Sequence, residues 1–439
     1  MNVEIVTIGD ELLLGFTVDT NSAFLARQLA ELGIAVARRT SCGDAPDSIS
    51  RCVGEALDRT GGVIVTGGLG PTADDMTKPA IASLFGRDMV RNENVARHLE
   101  ERWRSFGRTE PIPQSNFTQA MIPTGAEILP NPNGSAPGIF LEDATGRWAA
   151  MLPGVPREMR AMFTDALRPR LQGRVAADAP VIRSLTLRTT GIGESAIADK
   201  LGELGTGING LSLAFLPGVE GVDLRLTSRS LPTAEAGAAL AHAAQILRSE
   251  LGQSIYGEGD ADLASLALEV CRADGLRVAV AESCTGGLLG ARFTAIPGAS
   301  DVFHGGIIAY DNRVKRQILG VLEGDLAEHG AVSDVVALQM AKGIRLRLGT
   351  EVGVSITGVA GPGGGSPEKP VGTVWVAVDV AEGRPPQPRP DGRPPLVPMN
   401  QARVFHLVGD RDEIRRRAAQ SALDMLRRSV AELTILSAI

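Results

Sequence analysis

The sequence predicts an α/β protein made of two layered α/β domains with a small α+β module between them. Three observations carry this. The chain has 439 residues, more than one hydrophobic core usually serves, so several domains are expected. Residues 1–172 and 257–439 alternate short β-branched runs with amphipathic helical stretches, the pattern of strands covered by helices. Residues 173–256 break that rhythm with two strand-like runs close enough for a hairpin and then one long helical stretch.

In the first domain, residues 3–8 (VEIVTI) read as a strand. Residues 20–32 read as a helix, because Phe24, Leu25, Leu29 and Leu32 recur on one face and Thr20, Asn21 and Ser22 can each cap its start. A strand at 35–39, a helix at 46–59 and a strand at 63–66 continue the alternation, which implies parallel pairing through helical crossovers. The middle module holds a strand at 184–188, a helix at 195–204, a hairpin from 211–216 and 222–226, and a helix at 233–251. The third domain opens with a helix near Asp260, then strands at 277–281 and 306–310, a helix at 333–348, strands at 353–357, 372–380 and 403–407, and a closing helix. Residues 381–401 carry seven prolines among 21 positions, too many for strand or helix, and read as an extended or disordered insertion in a hairpin.

Composition narrows the function. With 44% apolar and 22% charged residues and a net charge of −7, the chain offers no general attraction to nucleic-acid phosphates or anionic lipid, so neither is an expected direct partner. No apolar run reaches the ~18 residues that span a bilayer, and Met1 leads into a strand without a basic segment; a cytoplasmic location is expected. Cys42, Cys52, Cys271 and Cys284 show no paired spacing, and the five histidines form no cluster, which argues against a disulfide framework or a zinc site. Of 44 basic residues only five are lysine: Lys78, Lys200, Lys315, Lys342 and Lys369. A chain that uses arginine for bare positive charge marks each lysine as a candidate for an amine that must lose its proton.

The stretch VIVTGGLGPTADD, residues 63–75, is a buried strand entering a glycine-rich turn that ends in two carboxylates. Glycines let backbone N–H groups approach a phosphate, and a helix N-terminus adds partial positive charge. Asp74 and Asp75 repel phosphate but suit a divalent cation that binds it; the alternative is that they merely cap the following helix. Neither a P-loop nor a dinucleotide fingerprint is present, since the glycine spacing differs and no lysine follows. GDELLLG (9–15), Asp44, NPNGSAPG (131–138) and LPGVPREM (152–159) supply further polar loops, which converge on one cleft in an open α/β sheet.

These stretches resemble the molybdopterin-binding domain of the molybdenum-cofactor biosynthesis family, in the version found in the CinA family. The resemblance implies a nucleotide or pterin cleft and a metal-dependent hydrolysis of ADP-ribose to AMP and ribose 5-phosphate. It carries Gly67, Gly68, Gly70, Pro71 and Thr72 over as phosphate-loop positions, Asn133, Gly134 and Ser135 as substrate-binding positions, and Asp44, Asp74 and Asp75 as ligands of a divalent cation.

In the third domain VAESCTGGL, residues 280–288, sets Ser283, Cys284 and Thr285 side by side before Gly286 and Gly287. Backbone N–H groups at the glycine pair form a candidate oxyanion hole beside a side-chain nucleophile. Cys284 is either the rival nucleophile or a small apolar residue packed beside the strand. Thr285 either caps the next helix or donates to a ligand. GIIAYDNRVK follows, with Tyr310 at a strand end and Lys315 one helical turn on. No histidine pairs with a carboxylate in triad fashion, and His304 reads as structural; a desolvated lysine is the other common activator of a serine. SITGVAGPGGGSPEKPVGT, residues 355–373, is a second glycine-rich loop able to wrap a small substrate, with Gly361 and Gly363 as binding positions.

AESCTGGLL, YDNRVK, HGAVS, SITGVAGPGGG, EKPVGTVWVA and GDRDEIRRRA occur in the order of the CinA C-terminal domain, the nicotinamide mononucleotide (NMN) deamidase family, and are similar to it throughout. The resemblance implies amide hydrolysis of NMN to nicotinic acid mononucleotide and ammonia, with no metal. By that resemblance Ser283 is the nucleophile, Lys315 its general base and Tyr310 a supporting hydroxyl; Thr285, Gly286, Gly287 and Arg411 contact substrate. The expected whole is a bifunctional pyridine-nucleotide salvage enzyme, homodimeric as many soluble proteins are. Its rivals are a competence or recombination accessory acting by binding, and a deamidase whose N-terminal domain only senses nucleotide.

Overall fold

The computed structural model describes residues 1–175, 182–229, 231–381 and 400–436, so most of the proline-rich insertion predicted at 381–401 lies outside the described residues. The chain divides into two compact units, Met1–Arg183 with Ser228–Ala238, and Ser184–Thr227 with Ala239–Ile439. Among the described residues no helix is long and apolar enough to cross a membrane.

The first unit is layered around one sheet. Its strands are β1 (Asn2–Ile8), β2 (Ala35–Cys42), β3 (Gly62–Thr66), β4 (Met89–Arg91), β5 (Met121–Pro123), β6 (Glu127–Leu129), β7 (Gly138–Glu142) and β8 (Trp148–Leu152). Six of them order as β2-β1-β3-β8-β7-β6, while β4 and β5 pair separately. The pairs β1/β2, β1/β3 and β3/β8 are parallel; β7 runs antiparallel to both β8 and β6. Side chains alternate across the sheet, as a period of two requires. Val3, Ile5, Ile64 and Trp148 join the core under helix Thr20–Glu31, whereas Val6, Ile8, Val63 and Val65 join the core under helix Pro46–Thr60. Both faces are covered, so the near-continuous apolar runs read in the sequence follow from burial on two sides. The loops after β1, β2, β3 and β8 therefore leave from one sheet edge.

The second unit carries two sheets. β9 (Arg183–Thr189), β10 (Ser212–Pro217), β11 (Val222–Ser228) and β12 (Ile255–Glu258) order as β10-β11-β9-β12. β13 (Val278–Glu282), β14 (Phe303–Ile308), β15 (Val352–Gly358), β16 (Thr373–Val380) and β17 (Asn400–His406) order as β14-β13-β15-β16-β17. β13 pairs in parallel with β14 and β15, and β15, β16 and β17 run antiparallel in turn. On β13, Val278 and Val280 face the core shared with helix Leu263–Ala273 and helix Arg411–Leu436, and Ala279 and Ala281 face the core under helix Asp334–Leu348. The strand predicted at 306–310 lies three positions earlier at its start: Ala309 and Tyr310 are past its end, because Asp311 caps the helix Asn312–Gln317 and the chain must turn before it.

Candidate functional site

In the second unit the chain leaves the fully buried β13 at Glu282. Ser283 extends the pairing by one residue, its N–H donating to the Ile356 carbonyl at 2.9 Å. Gly286 (φ +61°) and Gly287 (φ +97°) then turn the backbone through the left-handed region into helix Leu288–Thr294, a path closed to residues with a Cβ except at strain. Ser283 is 8% exposed at the start of this turn.

Lys315 approaches it from helix Asn312–Gln317. Its side chain is 1% exposed and its Nζ lies 3.2 Å from Ser283 Oγ. The same Nζ donates to the carbonyls of Ala309 at 2.8 Å and Tyr310 at 3.1 Å. Burial pushes the Lys315 amine below the ordinary lysine range, and the Asp311 carboxylate only partly opposes this. A neutral amine has two N–H bonds and one lone pair. With both N–H bonds held by carbonyls, the lone pair is the group left for the serine proton.

Cys284 is 5% exposed and sits in the hydrophobic core. Burial pushes its thiol up to about 12, which leaves essentially no thiolate near neutral pH, so the packed reading of Cys284 holds geometrically.

Three local expectations change. The glycine-pair N–H groups are committed: Gly286 donates to the Ser283 carbonyl at 3.1 Å, and Gly287, Leu289 and Gly290 donate to the Glu282 carboxylate at 3.0, 3.1 and 2.8 Å. A buried carboxylate thus takes the N-terminal donors of the helix. Among the described residues the N–H groups of Cys284 and Thr285 have no protein hydrogen-bond acceptor, so they are the donors left beside Ser283. Tyr310 serves Lys315 through its carbonyl; its side chain is 62% exposed, with Arg411 Nη2 donating to its hydroxyl at 3.3 Å. Thr285 does not cap the helix: its Oγ1 is buried and has no hydrogen-bond partner among the described residues, and its carbonyl accepts from Arg415 Nη2 at 2.9 Å.

Arg411 also donates to the Gly361 carbonyl, which ties the second glycine loop to the Tyr310 side chain. Gly363 lies exposed farther along that loop, where an added Cβ would meet nothing within 4 Å among the described residues. Glu282 and Arg415 escaped the sequence reading. An acidic last residue on a wholly apolar strand was the available signal for Glu282; Arg415 stood in an arginine-rich run with nothing to single it out.

In the first unit the glycine turn follows β3. A Cβ on Gly67 (φ +110°) would meet the Ile8 carbonyl oxygen at 2.2 Å, and one on Gly68 (φ +64°) would meet Thr77 Oγ1 at 2.2 Å. Asp75 folds back over the turn, accepting from Gly70 N–H at 2.7 Å, Thr72 N–H at 2.8 Å and the Thr72 hydroxyl. The N–H groups of Gly70 and Thr72 are therefore occupied, and Pro71 has none. Among the described residues those of Gly68 and Leu69 have no protein acceptor. Asn133, Gly134 and Ser135 sit where the two polar loops 131–138 and 152–159 meet: Asn131 Nδ2 donates to the Ala136 carbonyl at 2.8 Å and to Glu158 Oε2 at 2.7 Å, and a Cβ on Gly134 would strike Glu158.

Asp44 and Asp10 are cross-linked, each accepting from the other's backbone N–H at 3.0 and 3.4 Å. Burial, then the Asp10, Glu11 and Asp74 carboxylates, raise the Asp44 acid above the ordinary range. This crowding suits a hard cation held by one or two carboxylates and completed by substrate phosphate oxygens. Asp44 and Asp74 fit that role; Asp75, with both oxygens engaged in the turn, does not. Among the described residues no group of three or more His, Cys, Asp or Glu is placed to hold a metal by itself.

Comparison with known proteins matches three stretches of the chain to family models. Residues 4–173 match the model of a probable molybdopterin binding domain, 184–257 that of the damage-inducible protein CinA KH domain, and 260–389 that of the CinA C-terminal domain. A solved CinA from Thermoplasma acidophilum is 33% identical, covers 38% of this chain and 96% of its own, and has a TM-score of 0.35. A CinA-like protein of Salinibacter ruber is 41% identical over 98% of this chain and 100% of its own. One of Gemmatimonas aurantiaca is 60% identical over 98% of this chain and 97% of its own. At that identity over that length, with the three domain types in register along it, the chain belongs to the CinA family.

Proposed function

We propose that the chain is a bifunctional pyridine-nucleotide salvage enzyme, hydrolysing the carboxamide of NMN at Ser283 and the pyrophosphate of ADP-ribose in its N-terminal unit. The observation that carries the first activity is the buried Lys315 amine, 3.2 Å from Ser283 Oγ with two carbonyls holding its N–H bonds. Neutral Lys315 takes the Ser283 proton as Oγ attacks the carboxamide carbon. The oxyanion is met by the N–H groups of Cys284 and Thr285. The proton returns to the departing nitrogen, ammonia leaves, and water attacks the acyl-enzyme with Lys315 again as base. Arg411, already spanning Gly361 and Tyr310, grips an anionic group of the substrate.

In the N-terminal unit the N–H groups of Gly68 and Leu69 receive a phosphate. A divalent cation on Asp44 and Asp74, when bound, supplies charge neutralisation of the pyrophosphate. Asp75 keeps the glycine turn in shape. The test is product analysis with the full-length chain: ammonia and nicotinic acid mononucleotide from NMN, AMP and ribose 5-phosphate from ADP-ribose with a divalent cation. Absence of ammonia from NMN removes the first activity, and intact ADP-ribose removes the second.

A further inference from the structure

At one edge of the second unit's five-stranded sheet, a cavity of about 100 Å³ lies between β17, the last strand in the sheet order, and helix Arg411–Leu436. Gln401, Arg403 and Phe405, alternate residues of β17, line it from the strand side. Ser421, Asp424, Met425 and Arg428, spaced as one helix face, line it from the other. At ~1.5 Å of rise per residue, Asp424 stands about 20 Å along the helix from Arg411, so the cavity is separate from the Ser283 turn.

The charges in this lining are not balanced. Asp424 is 8% exposed and already shared: Arg427 Nη2 donates to one of its oxygens at 2.5 Å, and Arg428 Nε lies 2.8 Å from the other. The loop after β9 backs this group, since a Cβ on Gly191 (φ +71°) would come within 3.3 Å of Asp424 Oδ2 and 3.5 Å of Arg428 Nη2. Arg403, by contrast, is exposed and makes no hydrogen bond or ion pair among the described residues; its guanidinium lies over the Phe405 ring, 5.2 Å from the centroid. Arg403 and Arg428 set against Asp424 leave the lining one positive charge in excess. The neutral side chains are turned elsewhere: Gln401 Nε2 donates to Ser429 Oγ, and Ser421 Oγ donates to the Arg417 carbonyl at 2.9 Å. The guanidinium N–H groups are therefore the main donors left.

These features select a ligand class. A single excess positive charge suits a monoanion, because Asp424 opposes the second charge of a phosphate. The planar guanidinium fork matches the two oxygens of a carboxylate. Phe405 and Met425 add apolar surface that a flat ring covers and a bare inorganic anion does not. The volume is below the ~300 Å³ at which pockets begin to enclose a drug-sized molecule, so a single ring enters and a nucleotide does not.

We infer that this cavity is a binding site for a small flat monocarboxylate, its carboxylate between Arg403 and Arg428 and its ring against Phe405 and Met425. The site shares no residue with either catalytic reading above and stands whether or not they do.

The test is a ligand-observed NMR titration of the full-length chain with benzoate, benzamide and inorganic phosphate, repeated on Arg403→Met. Benzoate should bind the unaltered chain with a Kd on the order of 1 mM, the range open to a ligand of so few atoms. Arg403→Met should weaken it about tenfold, the order of effect of a charge-assisted hydrogen bond. Benzamide has the same shape without the charge, and phosphate the charge without the ring; whatever affinity either shows should be the same in both chains. Arg403 is exposed on an edge strand, so the fold should survive its replacement, and Arg403→Gln serves as the second variant with the same expected loss. No binding of benzoate, benzoate affinity equal in parent and variants, or a loss for benzamide or phosphate as large as that for benzoate overturns the inference.

Discussion

Replacing Lys315 by arginine separates a proton acceptor from a fixed cation. The structure makes the comparison sharp, because the amine is 1% exposed and within 3.2 Å of three oxygens, Ser283 Oγ and the Ala309 and Tyr310 carbonyls. Guanidinium stays protonated at any working pH and offers no lone pair. As a base it fails outright, so the whole contribution of proton transfer, ~10²–10⁴-fold, is at stake, and more if serine and lysine act as one unit. Kinetics of ammonia release from NMN should show kcat falling by about 10³-fold or more in Lys315→Arg, as in Lys315→Met, with KM little changed. The pH profile gives the sign. Lysine is competent when neutral, and burial lowers its folded-state pKa, so kcat/KM rises with pH through that depressed value and is lost as pH falls below it. Activity therefore begins below the pH at which a solvated lysine would deprotonate. An arginine variant with near-normal kcat and an unchanged profile would falsify the Ser-Lys mechanism.

Ser283→Ala should abolish NMN deamidation by several orders of magnitude while Cys284→Ala, whose thiol is held up to about 12, changes kcat little; the reverse pattern would move the nucleophile to the thiol. Chelator and Asp44→Asn should each depress ADP-ribose cleavage by roughly 10–100-fold and leave deamidation intact, and loss of deamidation in chelator with the fold preserved would refute separate sites. Lys78, 3% exposed, is drawn down to about 8 by burial, so its neutral form is the one the fold prefers. Its unfolded value is 10.5; stability linked to it is complete above that and is lost as pH falls toward 8. The stability difference between the parent chain and Lys78→Met should shift by up to about 3 kcal/mol across that window in chemical denaturation, and a pH-independent difference would show that Lys78 is not buried as described.

How far the sequence could be read depends on what kind of fact is asked for. Strands and helices were legible because burial on two faces leaves β1, β3 and β13 as uninterrupted apolar runs, which survive in the residue order. Ser283 and Lys315 were legible because lysine is rare in this chain and the serine follows such a run into a glycine pair. Lysine rarity worked less well elsewhere: Lys78 is also buried, but Lys200 and Lys342 are exposed. Two strand ends and the insertion at 381–401 gave only boundaries, since capping by Asp311 and pairing from Asn400 are decided by contacts that residue order does not carry.

What stayed hidden is the commitment of hydrogen bonds, and this is where the chemistry is decided. Gly286 and Gly287 mark the turn correctly, yet the Ser283 carbonyl takes the Gly286 N–H and the Glu282 carboxylate, reaching forward over the turn, takes that of Gly287. Asp75 and Gly70 stand five residues apart and look like independent site elements, but one occupies the other. In both turns an internal carboxylate takes several of the donors that the glycines suggest, and the N–H groups without a protein acceptor among the described residues lie closer to the strand: Cys284 and Thr285 after β13, Gly68 and Leu69 after β3. A carboxylate at that place stabilises a tight turn by neutralising its concentrated N–H dipoles and thereby selects which pair is left to meet an incoming oxygen. Glu282→Gln is the direct probe of that selection. An amide oxygen can still accept some of the three N–H groups, so folding should be retained, but the loosened turn should lower kcat for NMN more than it raises KM, because the N–H pair acts on the oxyanion and not on the bound amide. If KM alone responds, the carboxylate organises substrate binding and the donor selection argued from the turn is wrong.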